Sequence, residues 1–93
     1  MVSPMPRIRL FDEDERGAKH PMPMPGIRYV RETRNRKPYL KTYFKFVDDR
    51  YYLLENNKWK FIAPLNCFEW CDNSDDFWRN EFITEKEMFI VLL

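Results

Sequence analysis

A chain of 93 residues has room for one small domain, which excludes a multi-domain enzyme. Hydrophobic residues make up 44% and charged residues 33%, so a core is affordable while 16 Lys+Arg against 15 Asp+Glu leave a net charge of only +1. Aromatic residues supply 17% and there are only two glycines, which disfavours phosphate-cradling loops and points to a compact aromatic-rich binding module.

Five of the seven prolines fall in residues 1–26, where each removes a backbone donor and fixes φ near −65°. This stretch reads as an extended Pro/Met-rich arm, with Met22 and Met24 alternating with Pro21, Pro23 and Pro25 as in a polyproline segment. Residues 7–11 could add an edge strand, and the acidic run from Asp12 to Glu15 reads as a solvated loop.

From residue 27 the texture changes to β-branched and aromatic residues broken by turn residues. Strands are predicted over 27–33, 39–47, 51–55 and 58–63, with turns at 34–37, near Asp48-Asp49 and at Asn56-Asn57, whose asparagines tolerate the positive φ of a type I′ hairpin. Two-residue loops at both later turns would put Lys58 and Lys60 on the face of Phe44 and Phe46. Buried ammonium groups are costly, so an extra residue is expected at Asp48-Asp49-Arg50. The core face then reads Leu40, Phe44, Phe46, Tyr52, Leu54, Trp59 and Phe61, and the other face Tyr39, Lys41, Tyr43, Lys45, Tyr51, Leu53, Lys58 and Lys60.

Ser74 before Asp75 and Asp76 resembles an N-cap with an acidic first turn, predicting a short helix over 75–82. Thr84 with Glu87 forms a capping-box pattern, and Ile83 with Met88 occupies the staple positions, predicting a second helix from 85; a terminal strand over 88–93 is the competing reading. The expected fold is α+β: a three- or four-stranded antiparallel meander in residues 27–93, covered on one face by one or two short C-terminal helices, with the arm at 1–26.

The chemistry available is narrow. His20 is the sole histidine and Ser3 and Ser74 the only serines, so a nucleophilic triad has little to be built from. Cys67 and Cys71 are four apart, matching neither a redox pair nor a zinc knuckle, and read as two small buried side chains in a reducing cytosol. Asp49, Glu55 and Lys58 miss the spacing of a metal-dependent nuclease strand. No metal, cofactor or membrane span is expected, and neither is an enzyme.

Charge is segregated. Residues 27–46 carry a local balance of +6 and residues 61–93 one of −5, so the near-zero total conceals a strong dipole. Two functions follow as expectations. One is a small non-enzymatic modulator or inhibitor that docks on a larger protein, which could be a nucleic-acid-handling enzyme, through Met22, Met24, Tyr39, Tyr43 and Tyr51, since interface cores concentrate such residues. The other is a nucleic-acid-binding module using Arg28, Arg31, Arg34, Arg36, Lys37, Lys41 and Lys45 beside stacking tyrosines. In composition alone the chain resembles small phage-encoded inhibitors of host machinery.

Overall fold

The computed structural model describes residues 9–72 and 74–93. An antiparallel two-stranded sheet pairs β1 (Phe11–Glu13) with β2 (Lys19–Pro21). The main sheet has five antiparallel strands, β3 (Met24–Arg34), β4 (Lys37–Asp48), β5 (Arg50–Glu55), β6 (Lys58–Pro64) and β7 (Trp78–Ile83), in the order β6-β5-β4-β3-β7. Helix α1 (Glu85–Leu92) closes the chain, and no helix among the described residues is long and apolar enough to cross a membrane.

The antiparallel meander followed by a C-terminal helix matches the α+β reading, but the strand count is larger than the three or four expected. The additional main-sheet strand is β7, which occupies the region expected to be a helix over 75–82. Ser74, the expected cap, instead donates to Asp72, and it is Asp75 Oδ1 that accepts from the backbone N–H of Phe77 and of Trp78, at 2.7 and 2.8 Å. A strand follows it because residues 78–83 find a partner in β3, pairing Arg34 with Trp78 through to Tyr29 with Ile83. The long-range ladder and the burial of Asn80 and Ile83 override the local helix signal. The second helix does form, with the complete Thr84–Glu87 capping box, and the terminal-strand alternative is set aside.

The faces differ from the expected ones. Val47 pairs with Arg50 and Glu55 with Lys58, so both hairpins have two-residue loops, at Asp48-Asp49 and at Asn56-Asn57 with φ of 53° and 61°. The extra residue lies instead in β6, where Tyr51 pairs with Ala63 and Tyr52 with Phe61, leaving Ile62 as a bulge. Phe44 and Phe46 therefore share their face with Tyr51 and Leu53, while Tyr52, Leu54, Trp59 and Phe61 point to the other side. The lysine objection dissolves because Lys60 stands at the sheet's outer edge, exposed and 3.8 Å from Glu55. Leu40, expected in the core, is exposed: Thr33 pairs with Lys41 and Arg34 with Lys37, so Pro38, Tyr39 and Leu40 bulge out of β4.

Val30, Phe46, Leu65 and Phe68 form the buried cluster, with Phe44, Tyr51 and Trp70 packed against it. What covers this face is the irregular segment after β6 rather than a C-terminal helix. A 3-10 turn at Leu65–Cys67 begins it, the Leu65 N–H donating to the Asp49 carbonyl, and Phe68 meets Phe44, Phe46 and Tyr51 edge-on at 5.1 Å each. Asn80 then ties the segment to β7: its N–H donates to the Cys71 carbonyl at 2.7 Å and its Oδ1 accepts from the Cys71 N–H at 2.6 Å.

The described part of the arm is not a free extended strand. Phe11 lies 4.9 Å from Trp70 and 6.2 Å from Phe82, the Trp70 N–H donates to the Lys19 carbonyl, and Lys19 Nζ reaches Asp72 at 3.3 Å. β3 itself starts at Met24, with Gly26 at φ 92° in the bulge that bends the chain into the sheet. Of the edge strand expected over 7–11, residues 7 and 8 lie outside the described residues, Arg9 and Leu10 are not in a strand, and β1 starts at Phe11.

Candidate functional site

The second face of the main sheet carries Tyr29, Arg31, Tyr43, Lys45, Tyr52, Trp59 and Phe61 by strand register. Lys45 lies opposite both Tyr29 and Tyr52, and its ammonium stands 5.2 Å from the Tyr52 ring and 5.1 Å from that of Trp59. Tyr29 and Trp59 approach to 6.0 Å and Tyr52 and Phe61 to 5.8 Å, so the two rings beside the cation each carry a further ring, four rings from three strands. α1 packs against β3 and buries Met88 fully, while Phe89, Ile90 and Leu93 stay exposed. The β4–β6 part of the face is half-buried, with Phe61 52% exposed at its outer edge.

The structure separates the sequence-predicted residues. Tyr43 and Lys45 share the open face, and Lys41, paired with Thr33 at its end, is exposed. Tyr39 projects from the bulge, 75% exposed. Tyr51 belongs to the core face; Tyr52, Trp59 and Phe61 take its place because both hairpins have two-residue loops, and Tyr29 stands opposite Lys45 on β3. Met22 and Met24 are half-buried; the Met22 carbonyl accepts from Arg28 Nη2 at 2.7 Å.

Most of the predicted cations are engaged within the protein. Arg28 lies on the core face over the rings of Phe46 and Phe82, at 5.4 and 5.5 Å, and burial lowers its pKa. Arg31 Nη2 pairs with Glu81 at 2.7 Å and its Nη1 is 3.8 Å from Glu87. Arg34 stacks over Trp78 and Arg36 over Phe77, at 5.4 and 5.8 Å. Among the described residues, Lys37 and Lys41 have no carboxylate within ion-pair distance.

Asp14, His20 and Glu69 bring ligand-type atoms within 4.8 Å of one another, a grouping that spacings of 6 and 49 in the chain conceal. Arg16 already stands 3.5 Å from Glu69 and 3.8 Å from Asp14, which makes the group an ion network. His20 Nε2 lies 2.9 Å from Asp14 Oδ2 and Nδ1 lies 2.9 Å from the Phe68 carbonyl, so an imidazolium donates to both. The Asp14 hydrogen bond raises the His20 pKa above 6.5, and the same bond lowers that of Asp14 below 3.8.

His20 therefore contributes stability in full below pH 6.5 and loses it as pH rises through its raised folded value, whereas Asp14 contributes above 3.8 and loses it as pH falls through its lowered one. The melting-temperature difference between the protein and His20→Gln is expected to be largest between about pH 4 and 6.5 and to shrink at alkaline pH. A difference that grows with alkalinity would contradict this assignment.

Cys67 is exposed, not buried as expected, and Cys71 is half-buried, its pKa pushed up to about 11 by desolvation. Comparison with known proteins finds no family model that matches the chain, no similar curated protein and no similar solved structure.

Proposed function

We propose that this chain is a small non-enzymatic module that binds a larger protein and modulates it, docking through the open face of its five-stranded sheet. The observation that carries this reading is the cluster of Tyr29, Tyr52, Trp59 and Phe61 around Lys45, on the part of the face that α1 leaves open. Rings that already support one another lose little further freedom on docking, so they suit the anchor role at an interface centre. Phe61 and the neighbouring Ile62, both exposed on edge strand β6, extend this apolar surface.

The nucleic-acid reading is weaker because phosphate binding draws on free cations. Arg28, Arg31, Arg34, Arg36 and Lys45 already have carbonyl, carboxylate or aromatic partners. Lys37 and Lys41 remain as an exposed pair, too few for a backbone-tracking groove.

Affinity capture from a lysate of the native cell, with nuclease digestion, tests the reading. One stoichiometric protein should survive digestion with the unaltered chain and bind Phe61→Ser at least about tenfold more weakly, or ~1.4 kcal/mol, at unchanged melting temperature. A captured partner that disappears with nuclease treatment would transfer the function to nucleic acid, and equal retention by Phe61→Ser would remove this face from it.

A further inference from the structure

At the turn joining β3 to β4 the sheet narrows to a finger. Residues 37–41 of β4 lie beyond the pairs that β4 makes with β5, which run from Phe44 to Val47, and β7 flanks the finger on its other side with Trp78 opposite Arg34. The loop before β7 is tied to the tip: the Asn35 N–H donates to the Phe77 carbonyl at 2.9 Å, and Asn35 Nδ2 to the Asp75 carbonyl at 2.8 Å. A cavity of about 150 Å³ opens between them, lined by Arg34, Arg36, Lys37 and Phe77.

This lining is three cations and a ring, all exposed, with no carboxylate in it. Arg34 rests on the Trp78 ring and Arg36 on that of Phe77. Stacking occupies the faces of a guanidinium, and its N–H donors, which lie in the plane, stay available to an oxyanion. The rings hold both groups in place beforehand, so less side-chain freedom is lost when a ligand arrives. Like charges brought to one cavity repel, and an anion placed among them removes the repulsion.

We propose that this cavity binds the dianion of a phosphate monoester, carried by a small molecule or by a phosphorylated protein side chain. A monoester holds nearly two charges at neutral pH and three terminal oxygens, which suits three donors that converge on one point. The diesters of a nucleic-acid backbone hold one charge each and need cations along a track, which these residues do not form. Asp75 and Asp76 precede Phe77 and oppose an anion, although the Asp75 carboxylate is partly spent on the N–H groups of Phe77 and Trp78. The site lies on the finger, apart from the rings of β4–β6, and stands whether or not that face docks a protein.

Calorimetric titration of the full chain tests this with phenyl phosphate, phenyl sulfate and the capped tripeptide acetyl-alanyl-phosphotyrosyl-alanine amide, at about 0.1 M salt to screen long-range attraction. Saturable one-to-one binding of phenyl phosphate is expected, with phenyl sulfate, the same shape with a single charge, at least fivefold weaker. Lys37→Gln, which leaves both stacked arginines in place, and Arg36→Gln should each weaken phenyl phosphate about tenfold. Lys41→Gln should stay within twofold, since Lys41 pairs with Thr33 and so stands on the opposite face from Arg34. Tighter binding of the tripeptide than of phenyl phosphate identifies a protein-borne group as the source, and equal or weaker binding a small ester. Absence of saturable binding, equal affinity for sulfate and phosphate, undiminished binding in Lys37→Gln or Arg36→Gln, or a loss in Lys41→Gln as large as theirs would overturn the proposal. So would displacement of phenyl phosphate, at equal phosphate concentration, by a single-stranded oligonucleotide without terminal phosphates.

Discussion

Truncation of Phe68 to alanine is expected to destabilise the protein by about 3–5 kcal/mol, the range for removing a large buried aromatic side chain. The ring meets Phe44, Phe46 and Tyr51 edge-on, and it belongs to a buried cluster whose other members are Val30, Phe46 and Leu65. A domain of this length has a total stability of roughly 5–14 kcal/mol, so the variant should be marginal at room temperature. Loss of Phe68 also loosens the segment that covers the sheet, whose remaining ties are backbone and side-chain bonds from Leu65 to Asp49, from Trp70 to Lys19 and from Cys71 to Asn80. Urea denaturation provides the measurement. A loss under 1 kcal/mol would show that residues 65–72 do not lie on the core face.

Deletion of residues 1–20 is expected to be nearly as damaging, and the sequence alone suggests the opposite. As an arm too poor in regularly spaced apolar residues to serve the core, it predicts a melting temperature unchanged within a few degrees. In the structure the deletion strips Phe11 from Trp70 and Phe82, removes the Lys19 carbonyl from the Trp70 N–H, and takes the His20 ring from the Phe68 carbonyl. Uncovering a large aromatic contact costs roughly 1.5–3 kcal/mol, and each lost hydrogen bond about 1 kcal/mol. The expected loss of about 3 kcal/mol or more corresponds to a fall in melting temperature of roughly 12 °C or more for a domain of this size. Phe11→Ala in the intact chain should reproduce a substantial part of it. A truncated protein that melts normally would return the segment to the status of a separable arm.

What the sequence made legible was local. The alternation in residues 27–63, the paired asparagines at 56–57 and the Thr84–Glu87 box each act within a few residues, and each is present in the structure. What it concealed depends on partners far along the chain. The faces of β5 and β6 are set by the two-residue loop at Asp48-Asp49, which pairs Phe46 with Tyr51, and a parity argument that adds a residue there inverts every side chain from it to the bulge at Ile62. β7 has a helix-like entrance at Asp75, yet its conformation is decided by a strand some 50 residues earlier. The prolines of the arm suggested an extended segment dispensable for the core, but Pro21 ends a short strand opposite Phe11, where its missing N–H breaks no ladder within a longer sheet. The aromatic cluster around Lys45 was legible in composition and not in membership, because Tyr51 and Tyr52 are adjacent and only the register tells which faces outward.

The strand order also dictates a sequence of assembly. β3 to β6 are joined by tight turns and can pair as soon as each has formed, but the partner that closes β3 on its other side is the last strand made. During synthesis β3 therefore waits with one edge open, and an open edge is where two immature chains would join. Arg28, Arg31 and Arg34 recur along that edge, so two copies brought together there would align like charges. In the finished protein the same arginines have found a carbonyl, a carboxylate and an indole ring. A β3-to-β3 contact centred on Arg31 would set Arg28 opposite Arg34, and like charges opposed across a strand pair disfavour that contact.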